Sequence, residues 1–152
     1  MGTRRRGREP TVVTCSQEVR RIGAEPAGTP EIGVMIVDDQ ATFRSTARTV
    51  VLLADGFSVV AEAERGEDAV EQAEELRPQL VLMDINLPGI DGIEATRRIL
   101  ATSPDVAVVL MSTYTADDLP ADAGTCGAVR YVHKEDLSPD VLHEVWAERG
   151  GR

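Results

Sequence analysis

Five short apolar runs, separated by stretches with helical periodicity, set what residues 31–150 of this 152-residue chain can fold into. The runs fall at 32–37, 58–61, 80–83, 106–111 and 128–132. Their apolar residues run on without polar alternation, as in strands buried on both faces. Between the first two, Phe43, Ala47, Val50, Val51 and Ala54 share one face of a helix that Gly56 can terminate. Ala69, Val70, Ala73 and Leu76 form a second such face, stopped before Pro78. A third helix spans 91–101, with Glu94 placed to pair with Arg97 and Arg98. The fourth helical pattern, 116–123, is the weakest, because Pro120 interrupts it and Gly124 follows. In the last helix Ser138 is the cap, Pro139 takes the first turn, and Val141, Leu142, Val145 and Trp146 face inward.

Strands alternating with helices in this way predict an α/β fold: a five-stranded parallel sheet covered by five helices on both faces through right-handed crossovers. The common strand order for such a sheet is 2-1-3-4-5. Its ligands sit beyond the strand C-termini where the order reverses, between the first and third strands. The residues at those two strand ends are therefore the ones to read for chemistry.

Asp38 and Asp39 follow the first strand, and Asp84 follows the third. Three carboxylates converging on one crevice repel one another unless a cation is present. Mg²⁺ is the natural candidate, being a hard ion that keeps waters and awaits phosphate oxygens, and it would hold the carboxylates ionised. Ser112 ends the fourth strand with a hydroxyl, and Lys134 ends the fifth with an ammonium. A carboxylate nucleophile beside a cation, a hydroxyl and an ammonium has what is needed to take a phosphoryl group and stabilise its oxygens. Composition singles out Lys134: of 16 basic residues it is the only lysine.

The formal charge of -10 is uneven. Residues 1–30 carry six Arg against three Glu, so the remainder is strongly acidic, which argues against direct DNA binding by the folded part. Residues 1–30 read as an Arg-rich, disordered N-terminal tail, 31–150 as the domain. Cys15 and Cys126 are far apart and form no metal or redox motif, as in a reduced cytoplasmic protein. No apolar run approaches the length of a membrane span. His133 and His143 give no separate signal.

Three stretches carry a resemblance: Val37-Asp38-Asp39, the run Leu82-Met83-Asp84-Ile85-Asn86-Leu87-Pro88-Gly89-Ile90-Asp91-Gly92, and Gly127-Ala128 through Tyr131-Val132-His133-Lys134. Together they resemble the signature of response-regulator receiver domains, the bacterial switches of two-component signalling, over about residues 32–149. The resemblance implies a flavodoxin-like fold in which Asp84 accepts a phosphoryl group from a histidine kinase or phosphotransfer protein. It implies Mg²⁺ held by Asp39, Asp84 and the backbone carbonyl of Asn86, with Asp38 helping through water or a hydrogen bond. Ser112 and Lys134 correspond to the hydroxyl and lysine that contact the attached phosphoryl group, and Tyr131 to the aromatic whose rotamer follows activation. Asn86 and Tyr114, two residues beyond Asp84 and Ser112, are expected to set the lifetime of the phosphorylated state.

The run Lys134-Glu135-Asp136-Leu137-Ser138-Pro139 resembles the subclass normally joined to a LuxR-type helix-turn-helix, and the expectation is that no such output domain is present. The expectation is a stand-alone switch rather than an enzyme, signalling through an unknown downstream protein. The alternative output is a homodimer formed through the face of the fourth helix, fifth strand and fifth helix. A phosphate-independent binding module and a truncated DNA-binding regulator are the competing readings. A haloacid-dehalogenase phosphatase would want a second Asp where Asn86 stands.

Overall fold

The computed structural model describes residues 31–150; the expected tail, residues 1–30, lies outside them. In chain order the elements are β1 (Ile32–Val37), α1 (Ala41–Leu53), β2 (Phe57–Ala63), α2 (Gly66–Leu76), β3 (Leu80–Asp84), α3 (Gly92–Thr102), β4 (Ala107–Ser112), β5 (Arg130–His133) and α4 (Pro139–Gly150). The strands form one parallel sheet in the order β2-β1-β3-β4-β5. Each predicted strand is present, its ends displaced by at most two residues.

The sheet separates two apolar clusters. Val34, Ile36, Leu80, Leu82, Val109 and Met111 pack with Ala47 and Val51 of α1 and Leu142 and Val145 of α4. Met35, Val37, Val81, Met83, Val108 and Leu110 pack with α2 and α3 through Ala69, Ala73, Ala95 and Ile99. Successive residues of one strand point to opposite faces, so the unbroken apolar runs of β1, β3 and β4 feed both clusters at once. β1, β3 and β4 are held from either side. Their C-terminal ends are therefore fixed points from which side chains project.

Local signals act where the sequence places them. Asp91 caps α3, its carboxylate accepting from Glu94 N–H at 2.8 Å. Glu94 pairs with Arg97 and Arg98 at 3.4 and 2.9 Å. Ser138 Oγ accepts from Val141 N–H at 3.2 Å at the start of α4. Leu76 departs from expectation. It stands in the last turn of α2, before Arg77 turns left-handed, and is exposed instead of packed.

The expected fourth helix is the larger correction. In place of one helix over 116–123 there are two short 3₁₀ turns, Ala116–Asp118 and Ala121–Gly124, so the sheet carries four α-helices among the described residues. Pro120 stands between the turns, where it can offer no backbone N–H and disfavours a helical conformation at Leu119. Leu119 and Ala123 of this segment pack on the core, both partly buried. No described helix is long and apolar enough to cross a membrane.

Candidate functional site

The ends of β1, β3, β4 and β5 converge on a pocket of about 240 Å³ lined by Asp39, Gln40, Asp84, Asn86, Thr113 and Lys134. Asp38 is fully buried at the end of β1, its N–H bonded to Ala63 O at 3.0 Å. Its Oδ1 accepts from Gln40 N–H at 2.8 Å, and its backbone carbonyl accepts from Arg44 Nη1 at 2.7 Å. Asp39, next in the chain, is exposed at the pocket mouth. Asp84 ends β3 almost wholly buried, and its Oδ1 accepts from Asn86 N–H at 3.3 Å.

Space at this end is made by Gly92. A Cβ there would fall 2.0 Å from the carbonyl oxygen of Asp84, so α3 approaches the end of β3 only because the residue is glycine. On the other side of the loop, Glu67 of α2 accepts from Ile90 N–H at 3.2 Å. Its carboxylate occupies the space beside Gly89, which has φ +77°. The loop carrying Asn86 is thus clasped at both ends.

Lys134 reaches back from the end of β5. Its Nζ lies 2.6 Å from Asp38 Oδ2 and 3.5 Å from Asp84 Oδ2, above the Phe43 ring at 4.7 Å from its centroid. One ammonium faces three carboxylates. Burial, and then the charge of Asp38, push the Asp84 carboxyl up to about 6, while Lys134 and the Asn86 N–H pull it back. Asp38 Oδ2 is buried, and the Lys134 ammonium meets it as an ion pair.

Asp38, Asp39 and Asp84 each present an oxygen, all within 4.8 Å of one another. An all-oxygen set of three carboxylates, outnumbering the one ammonium beside them, fits a hard divalent cation. The arrangement therefore offers a nucleophilic carboxylate, a cation site and a fixed positive charge, with an open side for an approaching donor.

Of the other expected residues, Ser112 is fully buried, its Oγ accepting from Tyr114 N–H at 2.8 Å. The Tyr131 hydroxyl bonds the carbonyl of Tyr114 and lies 3.3 Å from that of Ser112, so its ring is turned toward the end of β4. The Tyr114 side chain lines a separate groove of about 360 Å³ along β5, with Thr115, Tyr131, His133, Asp136 and Val141. Gln40, Arg44, Phe43 and Thr113 were not singled out by sequence reasoning. Gln40 and Thr113 could have been found by extending the search one residue past the strand-end groups. Phe43 was read only as a core-facing helical residue, a role it also fills.

Residues 34–146 match the model of the family described as "Response regulator receiver domain". The chain belongs to the response-regulator receiver family. The receiver is 39% identical over 103 residues to response regulator GacA of Pseudomonas viridiflava, covering 68% of this chain and 48% of that protein. It is 35% identical over 121 residues to response regulator UvrY of Escherichia coli K12, covering 80% of this chain and 56% of that protein. The chain thus spans about half the length of these curated relatives. Among solved structures, a two-component response regulator of the LuxR family from Aurantimonas sp. SI85-9A1 superposes with a TM-score of 0.72 at 30% identity. That match covers 80% of this chain and 87% of the other. The response regulator domain of Thermotoga maritima CheB gives 0.71 at 28%, over 79% of the receiver and 97% of that domain.

Proposed function

We propose that this receiver is switched by phosphorylation of Asp84, with Mg²⁺ as cofactor and a histidine kinase or phosphotransfer protein as donor. The observation that carries the reading is the placement of Asp84: buried beside two further carboxylates, with an ammonium 3.5 Å away, and opening on a solvent-facing pocket. Asp39, Asp84 and the Asn86 carbonyl would hold the ion, with Asp38 alongside. The bound ion supplies positive charge against the phosphoryl oxygens.

The residues of the chain do the rest. An Asp84 carboxylate oxygen forms the bond to phosphorus as the phosphorus–nitrogen bond to the donor imidazole breaks. The leaving imidazole keeps that electron pair. Lys134 already stands within reach of Asp84 and neutralises charge on the phosphoryl group. Ser112 turns its hydroxyl to another phosphoryl oxygen, giving up the Tyr114 N–H, and Tyr131 follows. This shifts a pre-existing equilibrium at the face made by the 116–124 segment, β5 and α4, where a downstream protein or a second copy docks. Asn86 and Tyr114 tune the lifetime of the phosphorylated state. Asn86 acts from the pocket wall, and Tyr114 through its backbone tie to Ser112. The receiver is a cytoplasmic switch that takes part in its own phosphoryl transfer and hydrolysis, not an enzyme acting on a separate substrate, and its acidic body does not bind DNA directly.

The test is mass spectrometry after incubation with Mg²⁺ and phosphoramidate. Wild type gains one phosphoryl group and Asp84→Asn gains none. Equal gain by both, or by neither, rejects the reading.

A further inference from the structure

Three successive carbonyls at the end of β4, those of Ser112, Thr113 and Tyr114, all face side chains of β5. Tyr131 serves the first and third. The second is held by His133, whose Nε2 lies 3.0 Å from Thr113 O. The other nitrogen of the same ring, Nδ1, accepts from Glu135 N–H at 3.1 Å. An amide N–H only donates and a carbonyl only accepts, so Nδ1 is bare and Nε2 carries the proton. One imidazole therefore spans two pieces of backbone. One is the loop that carries Ser112; the other is the 3₁₀ turn Lys134–Asp136, for which His133 is the N-terminal cap. Ser112 and His133 are register partners across β4 and β5, so the ring sits directly beyond the last rung of the sheet.

We propose that His133 is a positioning residue that couples the Ser112 loop to the Lys134 turn and keeps the hydroxyl and the ammonium at a fixed separation across the pocket. The inference deepens the reading of Asp84 as phosphoacceptor and rests on it for its catalytic consequence. Ser112 and Lys134 project from adjacent strands, Ser112 at the last rung of the β4–β5 ladder and Lys134 one residue beyond it. Tyr131 restrains only the loop, and the Asp38 ion pair restrains only the tip of Lys134. The imidazole is the side chain that ties both backbones together. With the pair held in place, little reorganisation is left for the moment of transfer.

Two substitutions separate the two bonds. His133→Ala removes both. His133→Asn keeps the cap, because Asn Oδ1 occupies the place of Nδ1, but it is too short to reach Thr113 O. Amide hydrogen exchange on the full chain without metal or donor reads the brace by itself. Tyr114 N–H, which donates to Ser112 Oγ, is expected to exchange about tenfold faster in both variants, whereas Glu135 N–H loses protection only in His133→Ala. Protection of Tyr114 unchanged in both variants overturns the proposal.

Phosphorylation by phosphoramidate reads the consequence. Mg²⁺ affinity stays within about twofold of wild type, since no carboxylate is touched. The initial rate of phosphoryl gain falls about tenfold in both variants, and Asn does not restore it. Wild-type rates in both variants overturn the proposal. A wild-type chain that takes up no phosphoryl group overturns the phosphoacceptor reading and the catalytic half of the inference together. The exchange measurement still decides whether the brace exists.

Discussion

At the β1 and β3 ends of the sheet the pocket wall is packed tightly enough that one methyl group has no place. At the β4 and β5 ends the covering chain is two 3₁₀ turns over an open groove. Gly92 marks the first region, where an added Cβ would sit 2.0 Å from Asp84 O. Gly124 marks the second, where an added Cβ meets nothing within 4 Å. A groove of about 390 Å³ lies there, lined by Leu110, Leu119, Pro120, Ala123, Ala128 and Tyr131 among others. The contacts of the segment above it include the exposed ion pair Arg97–Asp122 at 3.2 Å, a class worth little. The three carboxylates stand on the rigid part. The surface that would report on them is on the part with least to lose by moving.

The same substitution in both places is the sharpest way to break this contrast. Gly92→Ala drives a methyl group into the β3 backbone and should cost about 3 kcal/mol or more, with loss of phosphoryl gain. Gly124→Ala, at an ordinary negative φ in open space, should be neutral or stabilise by about 0.4–1 kcal/mol. Urea denaturation of the two variants makes the comparison. Equal costs would show that the two regions are packed alike.

Next in size is the removal of the ammonium. Lys134→Ala leaves Asp38, fully buried, facing Asp84 with no positive charge between them. Stripping one partner from such a pair costs about 3 kcal/mol. The loss should be fully present in metal-free buffer and shrink when Mg²⁺ is added, because the ion takes over the charge balance. A loss that Mg²⁺ does not reduce would count against a cation site among these carboxylates.

Asp84 gives a smaller effect with a definite sign. Its folded carboxyl titrates at about 6, so in the absence of metal the folded chain keeps a proton that the unfolded chain gives up near pH 4. The contribution is complete below that unfolded value and is lost as pH rises through about 6. Metal-free stability should therefore fall between pH 4 and pH 6 relative to Asp84→Asn, by about 1–2 kcal/mol after allowance for water at the pocket mouth. Glu62 and Glu94, held below their usual range by Arg48 and Arg98, act in the opposite sense at lower pH and are common to both proteins. A difference that rises with pH would reverse the assignment.

The same contrast explains what could be read from the sequence. β1, β3 and β4 are legible because burial on both faces forces unbroken apolar runs, and the strand order that follows brings Asp38, Asp39 and Asp84 together. Lys134 was legible through its strand end and its isolation as the only lysine. The 116–124 segment was not, because Leu119 and Ala123 keep a helical spacing while Pro120 denies the backbone bond that spacing needs. Leu76 misled for a related reason: periodicity says which face a residue lies on, not whether the sheet still lies beneath the last turn. His133 carried no pattern, since its role depends on two backbone groups that only the folded chain brings within reach.

The smallest effect tests the loosest element. If Pro120 is what breaks the fourth helix, Pro120→Ala returns a backbone N–H and frees Leu119 to adopt helical angles. It does not supply a broad apolar face, because Leu119 and Ala123 pack on the core while Asp117, Asp118 and Asp122 remain in solvent. The expected result is a small rise in helical circular dichroism with stability changed by less than about 0.5 kcal/mol. A large gain in stability would mean that proline alone holds this face open. No change in helix content would mean that the shortage of buried apolar surface decides it, and the groove beside Tyr131 would then be a property of the whole segment rather than of one residue.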